Sequence, residues 1–338
     1  MNSSHSIWNE NPVVYTTIKR FYSAIITVIY PFAHYCVLTK SPKKFGFLKW
    51  VIYFHCFWIT VEWLSNAFLI DILDFQPSVT LKIDGFFNKI FDSLFLYKVY
   101  CCIEAISSTS ALFLFTSRLL MIVNMYRPIL SIRRIICETL IYVVVGIFGL
   151  WSIPATIWQL PNQKSAKEEI VNIEPHYPDC IWQPTCIVVS ANDTDSEHLT
   201  AILTILNWVS IGIAIFVSAK VVFYLLARRM MHESEATRRM HKKFNQRTIF
   251  QAILYLSFAC IPFSVLYLTI LFNVHIPGIT YLIDFFSENH PTACAVSLFL
   301  YYDPYQNFLL DVVGWKRKIS IEKPSTIVDR STFVIVRC

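Results

Sequence analysis

Apolar residues in this chain come in long unbroken runs, and polar and charged residues collect in the segments between them. Seven runs stand out, at about 17–38, 47–70, 90–124, 135–157, 199–227, 249–272 and 285–312. A helix rises 1.5 Å per residue, so about 20 apolar residues cover the roughly 30 Å hydrocarbon core of a bilayer. The pattern therefore predicts an all-α fold: a seven-transmembrane-helix bundle over 17–313, an N-terminal segment at 1–16 and a tail at 314–338.

Composition narrows the class further. Hydrophobic residues make up 55% of the 338 and charged residues only 15%, where soluble domains carry about 25% charged. The runs hold few charges beyond Glu62, Glu104, Arg118, Glu138, Lys220 and Asp303. Charge in hydrocarbon is costly and usually faces the bundle interior or water, so these positions are candidates for function. The first 15 residues lack a basic region followed by a short apolar core, and the first run is expected to act as its own insertion signal.

Basic residues stay in the cytoplasm during insertion. With the N-terminus outside, the inner segments carry Lys40, Lys43, Lys44, Lys49, Arg127, Arg133, Arg134, Arg228, Arg229, Arg238, Arg239, Lys242, Lys243, Arg247, Lys316, Arg317 and Lys318. The outer segments carry only Lys19, Arg20, Lys82, Lys89, Lys164 and Lys167. Seventeen against six predicts an extracellular N-terminus and a cytoplasmic tail. The sequons at Asn2 and Asn192 then both face outward, as glycosylation requires. Cys180 and Cys186 lie in the long outer segment 158–198, in an oxidising compartment where each could pair with the other or with Cys101 or Cys102. The net charge of +6 reflects loop placement, and nothing suggests a nucleic-acid surface.

Glu104 in the third run is the best pocket candidate, with Lys98, Tyr267 and Asp284 near the outer end as further ligand-binding candidates; Glu62 suits structural pairing. Glu104 could also pair with Lys98 or bond neighbouring hydroxyls. Pro262 and the Asp303-Pro304 pair predict helix kinks, since proline lacks the N–H that continues a helix. Between 228 and 247, charges alternate with Met230, Met231, Ala236, Met240 and Phe244. That pattern predicts helical extensions of the fifth and sixth spans with a basic face, which anionic lipid could equally attract. The nine histidines show no i, i+4 pairing for a metal and the seven glycines form no phosphate loop, so no enzyme activity, metal or cofactor is expected.

Seven spans, a long second outer loop and a basic third inner loop together resemble a rhodopsin-like G protein-coupled receptor. The run from Ser107 to Arg118 is similar to the pattern ending the third helix of that family, although Ser117 stands in place of the acid and Leu119 of the aromatic. Phe258-Ala259-Cys260-Ile261-Pro262 and Asp303-Pro304-Tyr305-Gln306-Asn307 resemble its sixth- and seventh-helix motifs, without the Trp and the final Tyr. Counting back from Arg118 reaches Ser93 where the family's third-helix cysteine would stand. Tyr126-Arg127-Pro128 and the aromatic richness resemble the nematode serpentine chemoreceptors. The resemblance implies a plasma-membrane or ciliary receptor for a small environmental molecule bound in the outer half of the bundle. It also implies a heterotrimeric G protein partner meeting Arg118, Arg228, Arg229, Lys242, Lys243 and Arg247. The competing reading is a transporter or ligand-gated channel, against which stands the lack of an internal repeat.

Overall fold

The computed structural model of the protein describes residues 8–75, 78–124, 131–158, 160–173, 176–189, 194–229, 235–272, 274 and 276–312. The first apolar run forms two helices, α1 (Val13–Ile26) and α2 (Ile29–Thr39). Pro31 accounts for the break: it has no N–H to give the Thr27 carbonyl four residues back, and its ring would clash with that carbonyl. The Thr27 hydroxyl donates to the Ser23 carbonyl at 2.7 Å and accepts the Trp63 indole N–H at 2.9 Å, and such back-bonding bends a helix.

Helix α3 (Phe47–Leu64) starts at Gly46, whose φ of +48° is free of the Cβ penalty other residues meet there. It widens into a π turn at Ser65–Leu69 and delivers the chain to the hairpin β1 (Asp71–Phe75) and β2 (Thr80–Asp84). Helix α4 (Ser93–Asn124) then runs the length of the bundle, packed by α3 on one side. At 32 residues it spans about 48 Å, more than the hydrocarbon core.

Helix α5 (Ile132–Leu150) buries only Gly149 and turns its apolar side chains outward; Val144 is 63% and Ile147 67% exposed. An entire apolar helix face left bare suits lipid and would be a liability in water. Its contact with α4 is close enough that a Cβ on Gly149 would run into the Thr109 side chain, a small-residue approach typical of membrane helices. The chain continues as α6 (Ser152–Trp158), then α7 (Gln163–Ile173) and β3 (Cys186–Val188).

The strands form one antiparallel sheet in the order β1-β2-β3, with Phe75 opposite Thr80 and Lys82 opposite Cys186. This sheet is an addition to the expected all-α architecture. Segment 158–198, which shows no long periodicity, holds α7 because Ala166 and Ile170, one turn apart, pack with Ile181 and Val188 under the sheet. The N-terminal strap is stitched on top: the Trp8 indole donates to the His176 carbonyl at 3.1 Å, and Glu10 accepts the Cys180 N–H at 2.8 Å.

Helices α8 (Thr194–Arg229) and α9 (Glu235–Tyr255) reach beyond the predicted spans at 199–227 and 249–272, as the extended fifth and sixth helices require. A π turn at Leu256–Cys260 leads into α10 (Ile261–Leu271). The wide turn makes room just ahead of Pro262, whose ring would clash with the carbonyl four residues back. The seventh run is longer and more broken than predicted: α11 (Pro277–Glu288), α12 (His290–Tyr301) and α13 (Asp303–Val312). Pro291 and Pro304 follow the two breaks, each at the second position of the new helix, where no N–H is needed.

Among the described residues, five helical stretches are long and apolar enough to cross a membrane: Val13–Thr39, Ser93–Val123, Ile132–Trp158, Ala201–Arg228 and Gln246–Leu271. The other two predicted spans fall short for physical reasons. Helix α3 carries Lys49, Glu62 and many Trp, Tyr and His residues, and the seventh is divided.

Candidate functional site

Three helices present one stripe each to a common space at the end of the bundle that carries the sheet. Tyr97, Tyr100, Cys101, Glu104 and Ser108 come from α4, Thr204, Asn207, Trp208 and Ile211 from α8, and Phe263, Leu266, Tyr267 and Ile270 from α10. Spacings of three and four residues put each set on one helix face. Alternation along β1 brings in Ile72 and Asp74, and α11 adds Asp284, Ser287 and Glu288. Val79, held at a φ of +45° that β-branched residues rarely adopt, also lines the space. The cavity encloses about 140 Å³, well under the roughly 300–1,000 Å³ that drug-sized ligands occupy.

Its lining is acidic. Asp74, Glu104, Asp284 and Glu288 face it, and among the described residues no Lys, Arg or His does so. Glu288 has a counter-ion: the buried Lys19 ammonium lies 2.5 Å from Glu288 Oε1 and 2.5 Å from Asp71 Oδ1, tying α1 to α11 and β1. Glu104 accepts a hydrogen bond from the Tyr100 hydroxyl one turn away. Asp74 and Asp284 face each other, and burial pushes the Asp74 carboxyl up to about 6. Asp284 Oδ2 and Asn207 Oδ1 are buried without hydrogen-bond partners. Trp208 and Phe263 stack at 4.5 Å with their planes 6° apart, forming an aromatic floor.

Deeper in the bundle, His290 Nδ1 lies 3.3 Å from Glu62 Oε1, and its Nε2 lies 3.3 Å from Cys294 Sγ. Glu62 is thus paired across helices, with a histidine. His55 bonds Ser110 at 2.8 Å, and Gln251 donates to Ser297 at 2.7 Å.

The far end of α4 holds Arg118, fully buried, its Nη2 donating to the Tyr302 hydroxyl at 3.1 Å and its guanidinium over the Phe115 and Tyr302 rings. An arginine expected to meet a partner at the inner surface is covered instead, by the residue where the seventh helix breaks. Arg247 of α9 pairs with Asp303 of α13. Ser117, standing where the receptor pattern has an acid, bonds the Tyr142 hydroxyl at 2.8 Å. Arg228 is exposed, while the side chains of Arg229, Lys242 and Lys243 lie outside the described residues, as do Asn2 and Asn192.

Of the four ligand-binding candidates, the structure brings Glu104, Tyr267 and Asp284 to one cavity and leaves Lys98 off it. Six residues along a helix leave Lys98 about 120° around the axis from Glu104, so their pairing, allowed on sequence grounds, does not form. Tyr100, at the i, i−4 position, takes that role and could have been read from the spacing. Lys19, Asp71 and Glu288 had no local signature, being 52 and 269 residues apart in sequence. Cys180 and Cys186 are buried side by side with Trp8 and Phe75 as free thiols. A hydrogen bond between them raises the Cys180 thiol and lowers that of Cys186. Cys101 instead lines the cavity.

A family model for the serpentine type 7TM GPCR chemoreceptor Srh matches residues 10–315. No curated protein matches the chain.

Proposed function

The chain belongs to the Srh family of serpentine seven-transmembrane chemoreceptors, and from that premise we propose that it binds a small environmental molecule in the cavity at the sheet end and signals to a heterotrimeric G protein at the other. The observation that carries this reading is the pairing of a cavity lined by apolar and acidic side chains at one end of α4 with a buried Arg118–Tyr302 contact at the other. The first can discriminate a ligand; the second is an interhelical bond whose making or breaking changes the face that a partner meets.

The basic asymmetry supports a sheet end outside the plasma membrane, with Arg228, Arg229, Lys242, Lys243 and Arg247 on the cytoplasmic face. Between cavity and basic face, the π turn at Leu256–Cys260 is a natural hinge for α9 against α10, because a widened turn is easier to repack than a regular one. Release of Arg247 from Asp303 would free α9 to move outward. In this orientation the Cys180 and Cys186 thiols, already hydrogen-bonded to each other, lie in an oxidising compartment and are oxidised there to a disulfide, and Asn2 and Asn192 carry glycans.

Second-messenger imaging of cells expressing the chain, against an odorant panel and with or without functional G proteins, tests the reading. Ligand-evoked responses that vanish when G proteins are blocked are expected. Ligand-evoked current or uptake that persists under the block would replace the receptor with a channel or transporter.

A further inference from the structure

Carboxylates at the cavity outnumber the cations that could balance them. Asp74, Glu104, Asp284 and Glu288 line it, with Asp71 directly behind. Against these, the described residues supply the single ammonium of Lys19, already shared at 2.5 Å between Asp71 and Glu288. The next basic group inward, His290, is engaged with Glu62. Glu104 receives a hydrogen bond from Tyr100, a neutral donor.

An independent observation shows where something is missing. Asp284 is only 7% exposed, yet its Oδ2 has no hydrogen-bond partner, and Asn207, 6% exposed, leaves its Oδ1 equally bare. Both residues line the cavity. Buried acceptors without donors are costly, most of all when charged, and a ligand that supplies positively charged N–H groups removes that cost.

The chemistry of the lining says which cation fits. A metal ion needs several ligands converging on one point, and among the described residues no group of three His, Cys, Asp or Glu is so placed. An organic cation needs less convergence and an apolar wall, and Tyr97, Trp208 and Tyr267 provide aromatic surface for both its carbon frame and its charge. The 140 Å³ of space limits it to a small molecule. We propose that the cavity selects a small organic ammonium ion, its N–H groups donating to Asp284 beside Asp74 and its apolar body lying against Trp208 and Tyr267. This names the ligand class of the receptor site and rests on that reading for its meaning.

The test uses the full chain in lipid nanodiscs, with empty discs as the partition control. The probes are propylamine, hexylamine and 2-phenylethylamine, each beside the matching alcohol, carboxylate and N-acetylated amine, and binding is read by calorimetry. At least one amine is expected to bind about tenfold or more tighter than its acetylated, neutral counterpart. Asp284→Asn should erase most of that preference, while Lys98→Gln, off the cavity, leaves it intact. If Asp284→Asn does not fold, the amine–amide comparison on the unaltered chain still decides. Equal binding of amine and amide, preference for the alcohol or carboxylate, or no amine binding up to about millimolar concentration overturns the proposal. Imaging of the same probes in cells separates the two claims. An amine that binds without a G protein-dependent response sinks the receptor reading alone, whereas such a response to neutral molecules without amine binding sinks the ligand class alone.

Discussion

Replacing Lys19 with methionine removes the one ammonium that holds α1, β1 and α11 together above the cavity. Its Nζ sits 2.5 Å from both Asp71 and Glu288, and the three side chains are 8%, 14% and 15% exposed. Methionine keeps most of the stem's packing, so the loss is mainly electrostatic: two nearly buried carboxylates are left facing each other. Removing one partner from a buried ion pair typically costs about 3–5 kcal/mol. With an unfolding entropy of roughly 2.1 cal/mol/K per residue, a chain this long loses about 1.4 °C of melting temperature per kcal/mol, so a drop of about 4–7 °C is expected. Thermal melting of the solubilised protein, alongside its surface fraction in cells, reads the effect. Adding Asp71→Asn and Glu288→Gln to Lys19→Met should recover most of it, because the orphaned charges are gone. A melting temperature within about 1 °C of the parent, with unchanged surface level, would refute the argument that this triad stabilises the sheet end.

Other consequences are equally open to measurement. Tyr302→Phe deletes only the hydroxyl that accepts from Arg118; losing a bond to a charged donor, about 1.5–3 kcal/mol, should raise ligand-independent signalling by about tenfold or more, and an unchanged basal level would show that this contact does not hold the resting state. Glu104→Gln keeps a partner for Tyr100 while deleting the charge, so agonist potency should shift by about tenfold or more at normal expression, and unaltered potency for every agonist removes Glu104 from the pocket. Cys180 and Cys186 should be oxidised in surface protein, and replacing both with serine should cost about 2 kcal/mol for so short a loop. Thiol labelling that finds both reduced would withdraw the disulfide.

Much of this molecule was readable before folding. Long apolar runs locate the helices because a bilayer demands uninterrupted hydrocarbon, and Pro262 and Pro304 mark where two of them bend. The bend at Thr27 carries the same mark in Pro31, four residues on, whereas the indole that Trp63 donates there comes from another helix and left none. The strands escaped notice for a similar reason: segments of five, five and three residues gain their pairing only when α3, α4 and α8 bring them together. Glu104 and Asp284 could be singled out because a carboxylate near hydrocarbon needs a reason. Lys19 could not be recognised as their neighbour, because nothing local joins residue 19 to residues 71 and 288. Arg118 stands out as a charge in an apolar run, but its cover could not be read, since Tyr302 comes from the break in the seventh helix.

Coupling between the two ends of α4 is the core of the account, and guanine-nucleotide exchange measures it most directly. The full chain is reconstituted in bilayer discs with purified heterotrimeric G proteins, and exchange is followed with the most potent compound from the imaging panel. The account predicts agonist-accelerated exchange that is lost in Arg118→Ala and shifted to higher agonist concentration in Glu104→Gln. Exchange no faster than with empty discs, across G protein classes, while the same compound drives ion or solute flux through chain-containing vesicles, would contradict it.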